Sequence, residues 1–553
     1  MSLLGIHFSH DSSFAFSPYP GEYRLFELER LTKRRYYSID FSQLQNEKYN
    51  PEEVEKIIFN FSNLVEKEYG KEALNIEKVF ADQMYPEVNG GPYTTSIPAH
   101  DDILNKFKKY FNLPEGGFTQ KNHHLMHANS AFYQSPFEEA LVFTYDAGGL
   151  VAGGDYAEFF CGYYFSREGE PLHLFSLPVH ACSLYCSLPF VCKDIKANIQ
   201  SSSGKAMGMS GYSGWSKKVY NALKPIFESQ MWINCEVHSD GTGTLDNEYV
   251  YDIIKQQWGR DKDNKLDFWQ GASFLATVQK LFEDTVIKNI EHTVYKYNLP
   301  IVLAGGGALN VLNNSRIKNQ FKLPVFVPCN PNDTGTAIGA IFEEHKPKEQ
   351  IDLRFNNWDL FDRDKLPSFV ESRKGEKYSF KQISDLLREG KIIGVVRGRS
   401  ECGPRALGNR SIICDPSIPD MKDVLNSKVK FREWYRPFAP MVLQDESSEY
   451  FNWDNTPAQN MNFSCITKSK YREKLKAVTH FDNTARIQTI TKEDNPWYFD
   501  LLNEMKSSGL PVLLNTSFNI QGKPILNSIE DAFHVLDNTQ LDYVIVEDYI
   551  FSK

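Results

Sequence analysis

The sequence predicts an α/β protein with a second, α+β domain, and three observations support this prediction. The chain has 553 residues, more than one hydrophobic core normally serves. Apolar runs of strand length, such as residues 300–304, are followed by a glycine turn and then by a pattern with helical spacing. The composition, 41% hydrophobic and 24% charged, is that of an ordered globular chain.

Composition and charge indicate which kinds of partner the protein is not expected to bind. A net charge of −10, from 61 basic and 71 acidic residues, argues against broad electrostatic binding to long nucleic acid but allows a nucleotide in a local basic pocket. No run approaches the roughly 18 apolar residues of a membrane helix, and the first residues lack the pattern of a signal peptide. The nine cysteines are scattered and fit no paired zinc motif. We therefore expect reduced, packed thiols in a cytoplasmic protein without a membrane partner.

Periodicity predicts the elements in chain order. Residues 3–7 read as a strand and residues 8–13 as the turn that follows it. The remaining predicted helices are residues 51–69, 101–111, 122–131, 268–297, 380–388 and 527–537, and the remaining strands are residues 141–146, 300–304, 392–396, 511–514 and 543–552. The polar composition of residues 345–377 predicts a domain boundary.

Two histidines have the spacing of a metal-binding pair. In the predicted helix at 122–131, His123 and His127 lie one turn apart on the same face, whereas His124 points elsewhere. Such a pair is by itself a weak signal, more often a surface or capping feature. Asp146 ends a buried-type strand nearby and is a third candidate ligand. Asp333 stands at another predicted helix start, where an aspartate is usually a cap.

A glycine turn and a basic stretch suggest two anion-binding segments. Gly305, Gly306 and Gly307 connect a strand to a helix, an arrangement that binds nucleotide phosphates or simply forms a tight turn. Between Arg397 and Arg436 there are six arginines and three lysines against five acids. Arginine forks match planar carboxylates and phosphates, and a solvated basic face is the alternative. Gly, Pro and apolar residues interrupt this stretch, which favours an anion-binding floor.

Several motifs together resemble one enzyme family. They are the opening GIHFSHDSS, HHLMHANSAF with the downstream TYD, GGGALN, GPRALGNRS, NSKVKFRE with RPFAP, and HFDNTARIQ. In this order they resemble the O-carbamoyltransferase family, which includes the nodulation-factor, cephamycin and tobramycin carbamoyltransferases. The resemblance spans nearly the whole chain.

The resemblance implies a fold and a division of the chain. Residues 1–350 would form a TsaD-like domain with the duplicated RNase H-like fold of the actin/Hsp70 (ASKHA) class. Residues 351–553 would form a TsaC/YrdC-like domain that makes carbamoyl-adenylate. Asp333 would be the fourth ligand beside His123, His127 and Asp146, holding Fe²⁺, with Mn²⁺ or Zn²⁺ as alternatives.

The resemblance also implies roles for individual residues. His10 would be the general base on the acceptor hydroxyl, since histidine has a suitable free pKa. The residues implied for nucleotide binding are Ser12, Lys205, Gly306, Gly307 and Asn310. Arg405, Lys430 and Arg436 would be catalytic, and the residues implied for carbamoyl phosphate and adenylate are Arg405, Lys430, Arg436, Arg486, Asn515 and Ser517.

The implied activity is ATP-dependent O-carbamoyl transfer. ATP, with Mg²⁺, and carbamoyl phosphate would be co-substrates, and the partner would be a small-molecule hydroxyl acceptor such as an antibiotic or a hydroxymethylated nucleotide. Residues 180–184 depart from the family motif, so the sequence leaves the acceptor open. It also leaves open the metal and whether the chain forms a homodimer.

Two other functions remain compatible with the sequence. One is a fused tRNA threonylcarbamoyladenosine enzyme, which the acidic balance and GPRALGNRS disfavour. The other is a non-catalytic actin/Hsp70-like ATP-binding protein, which would leave the C-terminal arginines and lysines without a purpose.

Overall fold

The computed structural model of the chain describes residues 3–8, 11–33, 56–61, 118–150, 157–229, 233–238 and 240–553. These residues form two compact units. The first ends at Ile351, and the second comprises Asp352–Lys553 with a short segment that begins at Arg30. Both units mix helices and strands, so the predicted α/β class is confirmed.

The first unit contains twelve of the described strands, which are β1 Leu3–Phe8, β2 Ser13–Ser17, β3 Arg24–Glu27, β4 Lys56–Phe61, β5 Phe118–Gln120, β6 Glu139–Leu150, β7 Ala157–Ser166, β8 Leu172–Leu177, β9 Cys235–Val237, β10 Gly243–Leu245, β11 Ile301–Ala304 and β12 Val325–Phe326. The helices described before Ile351 are α1 Leu28–Thr32, α2 His123–Gln134, α3 Ala181–Ser187, α4 Ile199–Ser210, α5 Lys217–Glu228, α6 Glu248–Trp258, α7 Phe268–Tyr297, α8 Val311–Phe321 and α9 Thr336–His345. The last residues of α1 belong to the second unit.

The two larger sheets of the first unit share one topology. Their strand orders are β3-β2-β1-β4-β5 and β8-β7-β6-β11-β12. In each, the first three strands in chain order form an antiparallel meander, and the fourth and fifth pair in parallel beside the first strand. This repeat is what a duplicated fold of the expected kind requires.

One predicted helix is wrong. Residues 51–69 were expected to form an amphipathic helix, but Lys56–Phe61 is the strand β4, which pairs in parallel with β1. Its sequence, KIIFNF, is rich in the β-branched and aromatic residues that favour strands, and the charged flanks obscured this signal. The predicted helix at 101–111 lies outside the described residues.

Helix α7 shows how closely local sequence specified an element. The Asp267 side chain accepts a hydrogen bond from the backbone N–H of Gln270, whose side chain completes a capping box. The helix ends before Asn298, which has left-handed φ. The predicted apolar residues are buried against the core, among them Phe274 and Val278.

The elements that carry the candidate site approach closely at Gly5 of β1. A Cβ there would lie 2.0 Å from the carbonyl oxygen of Ala337 in α9. Only glycine allows this contact between backbones. The hydroxyl of Ser13 also donates to the carbonyl of Thr334 over 3.0 Å, so the β1–β2 turn abuts the turn before α9.

The second unit is built on a nine-stranded sheet of order β13-β21-β20-β14-β15-β19-β16-β18-β17. The strands are β13 Glu376–Lys377, β14 Ile393–Val396, β15 Arg410–Cys414, β16 Ala439–Leu443, β17 Phe463–Ile466, β18 Thr484–Ile490, β19 Val512–Ser517, β20 Tyr543–Val546 and β21 Tyr549–Ser552. The helices are α10 Leu366–Ser372, α11 Phe380–Arg388, α12 Met421–Val424, α13 Ser447–Tyr450, α14 Pro496–Met505 and α15 Ile529–Asn538. Apolar residues of α11 and α14 pack in one cluster with Ile393, Met441 and Leu513 of the sheet.

The last predicted strand is two strands. Residues 543–552 form a hairpin, β20 and β21, because the chain reverses at Glu547, which has a φ of 50°. Asn483 of the HFDNTARIQ motif has a φ of 66°, a left-handed conformation that asparagine adopts more readily than most residues.

The cysteines and the long helices agree with the composition of the chain. All nine cysteines are free, and seven of them are buried, as predicted. Among the described residues, no helix combines the length and the apolar character needed to cross a membrane.

Candidate metal centre and basic cluster

The four predicted metal ligands converge in the first unit. His123 and His127 lie one turn apart on α2, Asp146 lies on β6, and Asp333 lies in the short turn before α9. Each offers a ligand atom within 4.8 Å of those of the others. Both histidines and Asp333 are buried, and Asp146 is nearly so. The structure therefore brings together residues separated by more than two hundred positions in the chain.

The distances describe a compact set of nitrogen and oxygen donors. The two imidazole Nε2 atoms are 2.9 Å apart. The Asp333 Oδ1 lies 3.4 Å from His123 Nε2 and 3.2 Å from His127 Nε2, and the Asp146 Oδ2 lies 3.4 Å from His127 Nε2. Two imidazoles and two carboxylates are donors that suit Fe²⁺, Mn²⁺ or Zn²⁺. The residues present fit such an ion.

Burial and charge set the protonation of these groups. Burial lowers the pKa of His123 to about 4, although Asp333 opposes this shift. Burial also acts to lower the pKa of His127, but hydrogen bonds and charge from Asp146 and Asp333 outweigh it and raise that pKa to about 9. Burial would raise the pKa of Asp333, yet His123, His7 and His127 hold it well below its usual range. At neutral pH the site thus holds ionised carboxylates and a neutral His123, the forms that bind cations, together with a protonated His127, which must release its proton when a cation binds.

The backbone around Asp146 is shaped to fit the histidines. Strand β6 changes register between Tyr145 and Gly149, which bulges the chain at the ligand. The backbone N–H groups of Ala147 and Gly306 donate to the Asp146 carboxylate over 2.6 and 2.5 Å. A Cβ on Gly149 would lie 2.2 Å from the His123 ring. The site therefore requires glycine at position 149.

A Gly149→Ala substitution is expected to weaken divalent-metal binding at least about tenfold, because the added methyl group forces the His123 ring to move. Metal affinity can be measured by titration of metal-free protein. The matched control is Gly204→Ala, since a Cβ at Gly204 on α4 meets nothing within 4 Å. Unchanged metal affinity in Gly149→Ala would contradict this geometry.

The sequence analysis missed His7. This residue is fully buried on β1, and its Nε2 lies 3.3 Å from the Asp333 Oδ2. Its ring also lies 5.6 Å from that of His123, centroid to centroid. The available signal was a histidine within the strand that precedes the HDSS turn, and we expect it to orient Asp333.

The residues predicted to bind nucleotide in the first unit are not all brought together. Gly306 lies at the metal centre, and Gly307 packs against Tyr145 and Cys182. Asn310 caps α8 and exchanges hydrogen bonds of 3.0 Å with Gln279. The Lys205 ammonium donates to the carbonyl of Lys196. Ser12 is buried in the β1–β2 turn, and His10 lies outside the described residues.

In the second unit, three of the four predicted basic anchors form one cluster. The pKa of Arg486 is held well below its usual range, first by burial and then by the charges of Arg405, Arg432 and Arg436. These guanidinium groups are therefore close enough to repel one another. Among the described residues, the Arg486 Nε has no hydrogen-bond partner although it is buried. Concentrated positive charge of this kind predicts a bound anion.

Arg432 is a member of this cluster that the sequence analysis did not assign. Its guanidinium lies 4.4 Å from the centroid of the Phe438 ring and donates to Asn426 Oδ1 over 2.8 Å and to the carbonyl of Pro437 over 3.1 Å. Burial first, and then the charge of Arg436, lowers its pKa well below the usual range. The signal was present, since Arg432 is the arginine of the NSKVKFRE motif.

Lys430 lies apart from the arginines in its contacts. It follows a turn of π-helix, Leu425–Val429, a feature frequent at functional sites. Its ammonium donates to the carbonyls of Ser517 and Asn519 over 2.6 and 2.7 Å, and their side-chain oxygens are also within reach. Lys430 thus holds the segment that follows β19, including the predicted ligand Ser517.

Asn515 presents an unpaired acceptor beside the GPRALGNRS loop. Its Nδ2 donates to the carbonyl of Ala406 over 3.1 Å and to Gln488 Oε1 over 2.7 Å. Its Oδ1 is buried and has no partner among the described residues. A carbamoyl NH₂ group is a donor of the kind that this oxygen lacks.

Comparison with known proteins identifies the family. Residues 2–342 match the model described as "Carbamoyltransferase N-terminus", and residues 384–553 match the one described as "Carbamoyltransferase C-terminus". The chain belongs to the carbamoyltransferase family. The resemblance seen in the motifs is confirmed, and the chain is an enzyme of this family.

Curated relatives of this carbamoyltransferase include nodulation proteins. Nodulation protein NolO of Bradyrhizobium diazoefficiens is 31% identical over 459 residues, which cover 78% of this chain and 79% of the relative. Nodulation protein U of Rhizobium tropici is 32% identical over 289 residues, 50% of this chain and 49% of the relative. The solved structure of full-length HypF in the phosphate- and nucleotide-bound form aligns with 62% of this chain and 55% of its own, with 13% identity and a TM-score of 0.31.

Proposed function

We propose that the chain is an ATP-dependent O-carbamoyltransferase that works in two stages. Residues 351–553, as a YrdC-like domain, make carbamoyl-adenylate from carbamoyl phosphate and ATP. Residues 1–350, as an actin/Hsp70-like domain, transfer the carbamoyl group to a hydroxyl of a small-molecule acceptor. The observation that carries this proposal is the arginine cluster of the second unit, because such a concentration of positive charge calls for phosphate-bearing ligands.

The first stage makes use of the arginine cluster. Water hydrolyses carbamoyl phosphate to phosphate and carbamate. A carbamate oxygen then attacks the α-phosphorus of ATP, so that the bond from this phosphorus to pyrophosphate breaks and pyrophosphate leaves. Arg405, Arg436 and Arg486 bind and orient the anionic phosphates and stabilise the charge that develops on them. The free Oδ1 of Asn515 accepts from the carbamoyl NH₂ group, and Lys430 positions Ser517 for the same ligand.

The second stage takes place at the metal centre. The hydroxyl oxygen of the acceptor attacks the carbamoyl carbon, the C–O bond to the adenylate breaks, and AMP leaves. His10 takes the hydroxyl proton, a role that stays a prediction. A divalent ion bound by His123, His127, Asp146 and Asp333 would supply Lewis-acid polarisation of the adenylate phosphate. Burial of these residues excludes water, which protects a labile mixed anhydride.

Partners and co-substrates follow from this chemistry. ATP would bind with Mg²⁺, and the acceptor would be an antibiotic, another secondary metabolite or a hydroxymethylated nucleotide. Long nucleic acid and membranes are not expected as partners, in keeping with the net charge of −10.

The proposal is tested by isotope exchange. Labelled pyrophosphate is expected to enter ATP only when carbamoyl phosphate is present, since only then does carbamoyl-adenylate form reversibly. Exchange that depends on threonine and bicarbonate, together with tRNA binding, would favour the fused threonylcarbamoyl enzyme instead. ATP binding without any exchange would favour the non-catalytic alternative.

A Lys430→Met substitution is expected to lower the free energy of unfolding by about 3 kcal/mol, because it leaves buried acceptors of Ser517 and Asn519 without their donor. It is also expected to slow adenylate formation through the displaced Ser517. Denaturant unfolding and pyrophosphate release measure the two effects. Lys428→Met is the control, since Lys428 is exposed two residues away. Wild-type rates of adenylate formation in Lys430→Met would contradict the assignment.

A further inference from the structure

A second group of metal-type donors lies at the far edge of the sheet that carries Asp146. Glu158 and Cys161 on β7 and His173 on β8 each offer a ligand atom within 4.8 Å of the others. Glu158 and Cys161 are buried, whereas His173 is exposed. The Glu158 Oε1 lies 4.0 Å from the His173 Nε2. None of these residues takes part in the proposed two-stage reaction.

A change of strand register lies beside these three side chains. Strands β7 and β8 pair antiparallel, and their register shifts between Gly162 and Tyr163. Such a bulge re-aims the side chains beside it. His173 pairs with Tyr163 after the shift, and the two rings lie 5.2 Å apart.

Glu158 is the observation that points to a cation. Its side chain is only 9% exposed, and its Oε2 has no hydrogen-bond partner among the residues that the structure describes. Burial of a carboxylate oxygen without a partner is costly. The Cys161 thiol has hydrogen-bond contacts with the Glu158 carboxylate and with the Ser176 hydroxyl, the latter over 3.6 Å. Among the described residues, His173 is the basic group in ion-pair contact with this carboxylate, and the two groups are 4.0 Å apart, too far for a hydrogen bond.

We propose that Glu158, Cys161 and His173 bind a thiophilic divalent cation of the Zn²⁺ class. Thiolate, imidazole and carboxylate are the ligands that Zn²⁺ takes, whereas Mg²⁺ and Ca²⁺ prefer oxygen alone. Three protein ligands leave a fourth position, which faces solvent on the side of exposed His173 and accepts water.

The site fastens the edge strand β8 to β7 and lies close to the metal centre. The carbonyl of Glu158 is 2.9 Å from the Nε2 of His124, whose Nδ1 is 2.8 Å from the hydroxyl of Thr144. His124 is the neighbour of the ligand His123 in α2. A cation on Glu158 therefore stabilises the strand on which the orientation of α2 depends.

Cobalt titration of the metal-free full chain distinguishes this site from the metal centre. Cobalt bound by thiolate gives a sulfur-to-metal charge-transfer band, which the nitrogen and oxygen donors of the metal centre cannot give. We expect two equivalents of Co²⁺ to bind, one of them with this band. Cys161→Ser should abolish the band, and His173→Gln, at an exposed position that should not disturb folding, should weaken that equivalent at least about tenfold.

Two controls keep the proposal falsifiable. Burial first, and then the charge of the nearby Asp146 carboxylate, raise the pKa of the Cys182 thiol. Cys182→Ser therefore tests whether Cys182, and not Cys161, is the sulfur ligand. The band is expected to persist in Cys182→Ser and in Asp333→Asn, which disables only the metal centre. Absence of the band in the wild-type chain, its survival in Cys161→Ser or its loss in Cys182→Ser would overturn the proposal.

A stability measurement gives an independent readout. In the Asp333→Asn background, addition of Zn²⁺ is expected to raise the melting temperature, and the added His173→Gln change is expected to remove that rise. An equal rise with and without His173 would also overturn the proposal.

Discussion

Replacement of Arg486 by alanine is expected to lower the rate of carbamoyl-adenylate formation by about a hundred- to a thousandfold. Arg486 sits among Arg405, Arg432 and Arg436, and its buried Nε has no partner among the described residues. The group is therefore placed for a ligand and not for a partner within the chain. Pyrophosphate release with carbamoyl phosphate and ATP measures the effect.

The same substitution is expected to leave stability unchanged or to increase it. The guanidinium groups repel one another, so removal of one of them lowers the electrostatic repulsion in the folded protein. Residues that serve function in this way often reduce stability. Arg486→Lys should restore little activity, because an ammonium group lacks the planar fork. Arg472→Ala is the control, since Arg472 belongs to the same unit and donates to the backbone carbonyl of Thr467. Loss of activity accompanied by unfolding would contradict a ligand-binding role for Arg486.

The second large effect is expected for Asp333→Asn. This carboxylate lies within 3.4 Å of both ligand imidazoles, so its loss removes one ligand and the charge that balances the cation. Metal affinity is expected to fall at least about a hundredfold, and carbamoyl transfer to fall with it. Metal content and product formation from preformed carbamoyl-adenylate measure these effects.

The proposal also predicts what Asp333→Asn leaves intact. Pyrophosphate release with carbamoyl phosphate should continue at the wild-type rate, because the first stage is assigned to the other unit. Asp252→Asn, at an exposed aspartate of α6, is the control for a change of charge. Wild-type carbamoyl transfer by metal-depleted Asp333→Asn protein would contradict the role of the metal centre.

Local patterns in the sequence predicted much of this structure. The spacing of apolar residues predicted α7, and the i, i+4 spacing of His123 and His127 predicted that both lie on one face of a helix. These signals are local because a single helix expresses them. The strand β4 was missed because charged residues flank a short apolar run.

The spacing of residues along the sequence could not predict which distant residues meet in the folded protein. Asp333 was predicted to be a metal ligand only because of the family resemblance, since its position in the sequence is typical of a helix cap. His7 was missed because its role depends on the packing of β1 against the turn before α9. The Glu158–Cys161–His173 group spans two paired strands, and the pairing of β7 with β8 cannot be read from a local sequence pattern.

The basic cluster of the second unit was predicted only in part from the sequence. The abundance of arginine between Arg397 and Arg436 predicted an anion site, but not which residues build it. Arg432 joins the cluster, whereas Lys430 holds the chain after β19. Pairing within the sheet determines which residues lie beside the GPRALGNRS loop. It places Asn515 of β19 opposite Ala439 of β16 and Ile413 of β15, and so beside that loop.

The central claim is that the second unit makes carbamoyl-adenylate, and mass spectrometry of the reaction tests it most directly. Purified full-length protein is incubated with ATP and carbamoyl phosphate, with and without Fe²⁺, and the nucleotides are analysed. We predict carbamoyl-adenylate together with an equal amount of pyrophosphate, and neither in Arg486→Ala protein. ATP left intact by the wild-type protein in the presence of carbamoyl phosphate and Fe²⁺ would contradict the proposed chemistry.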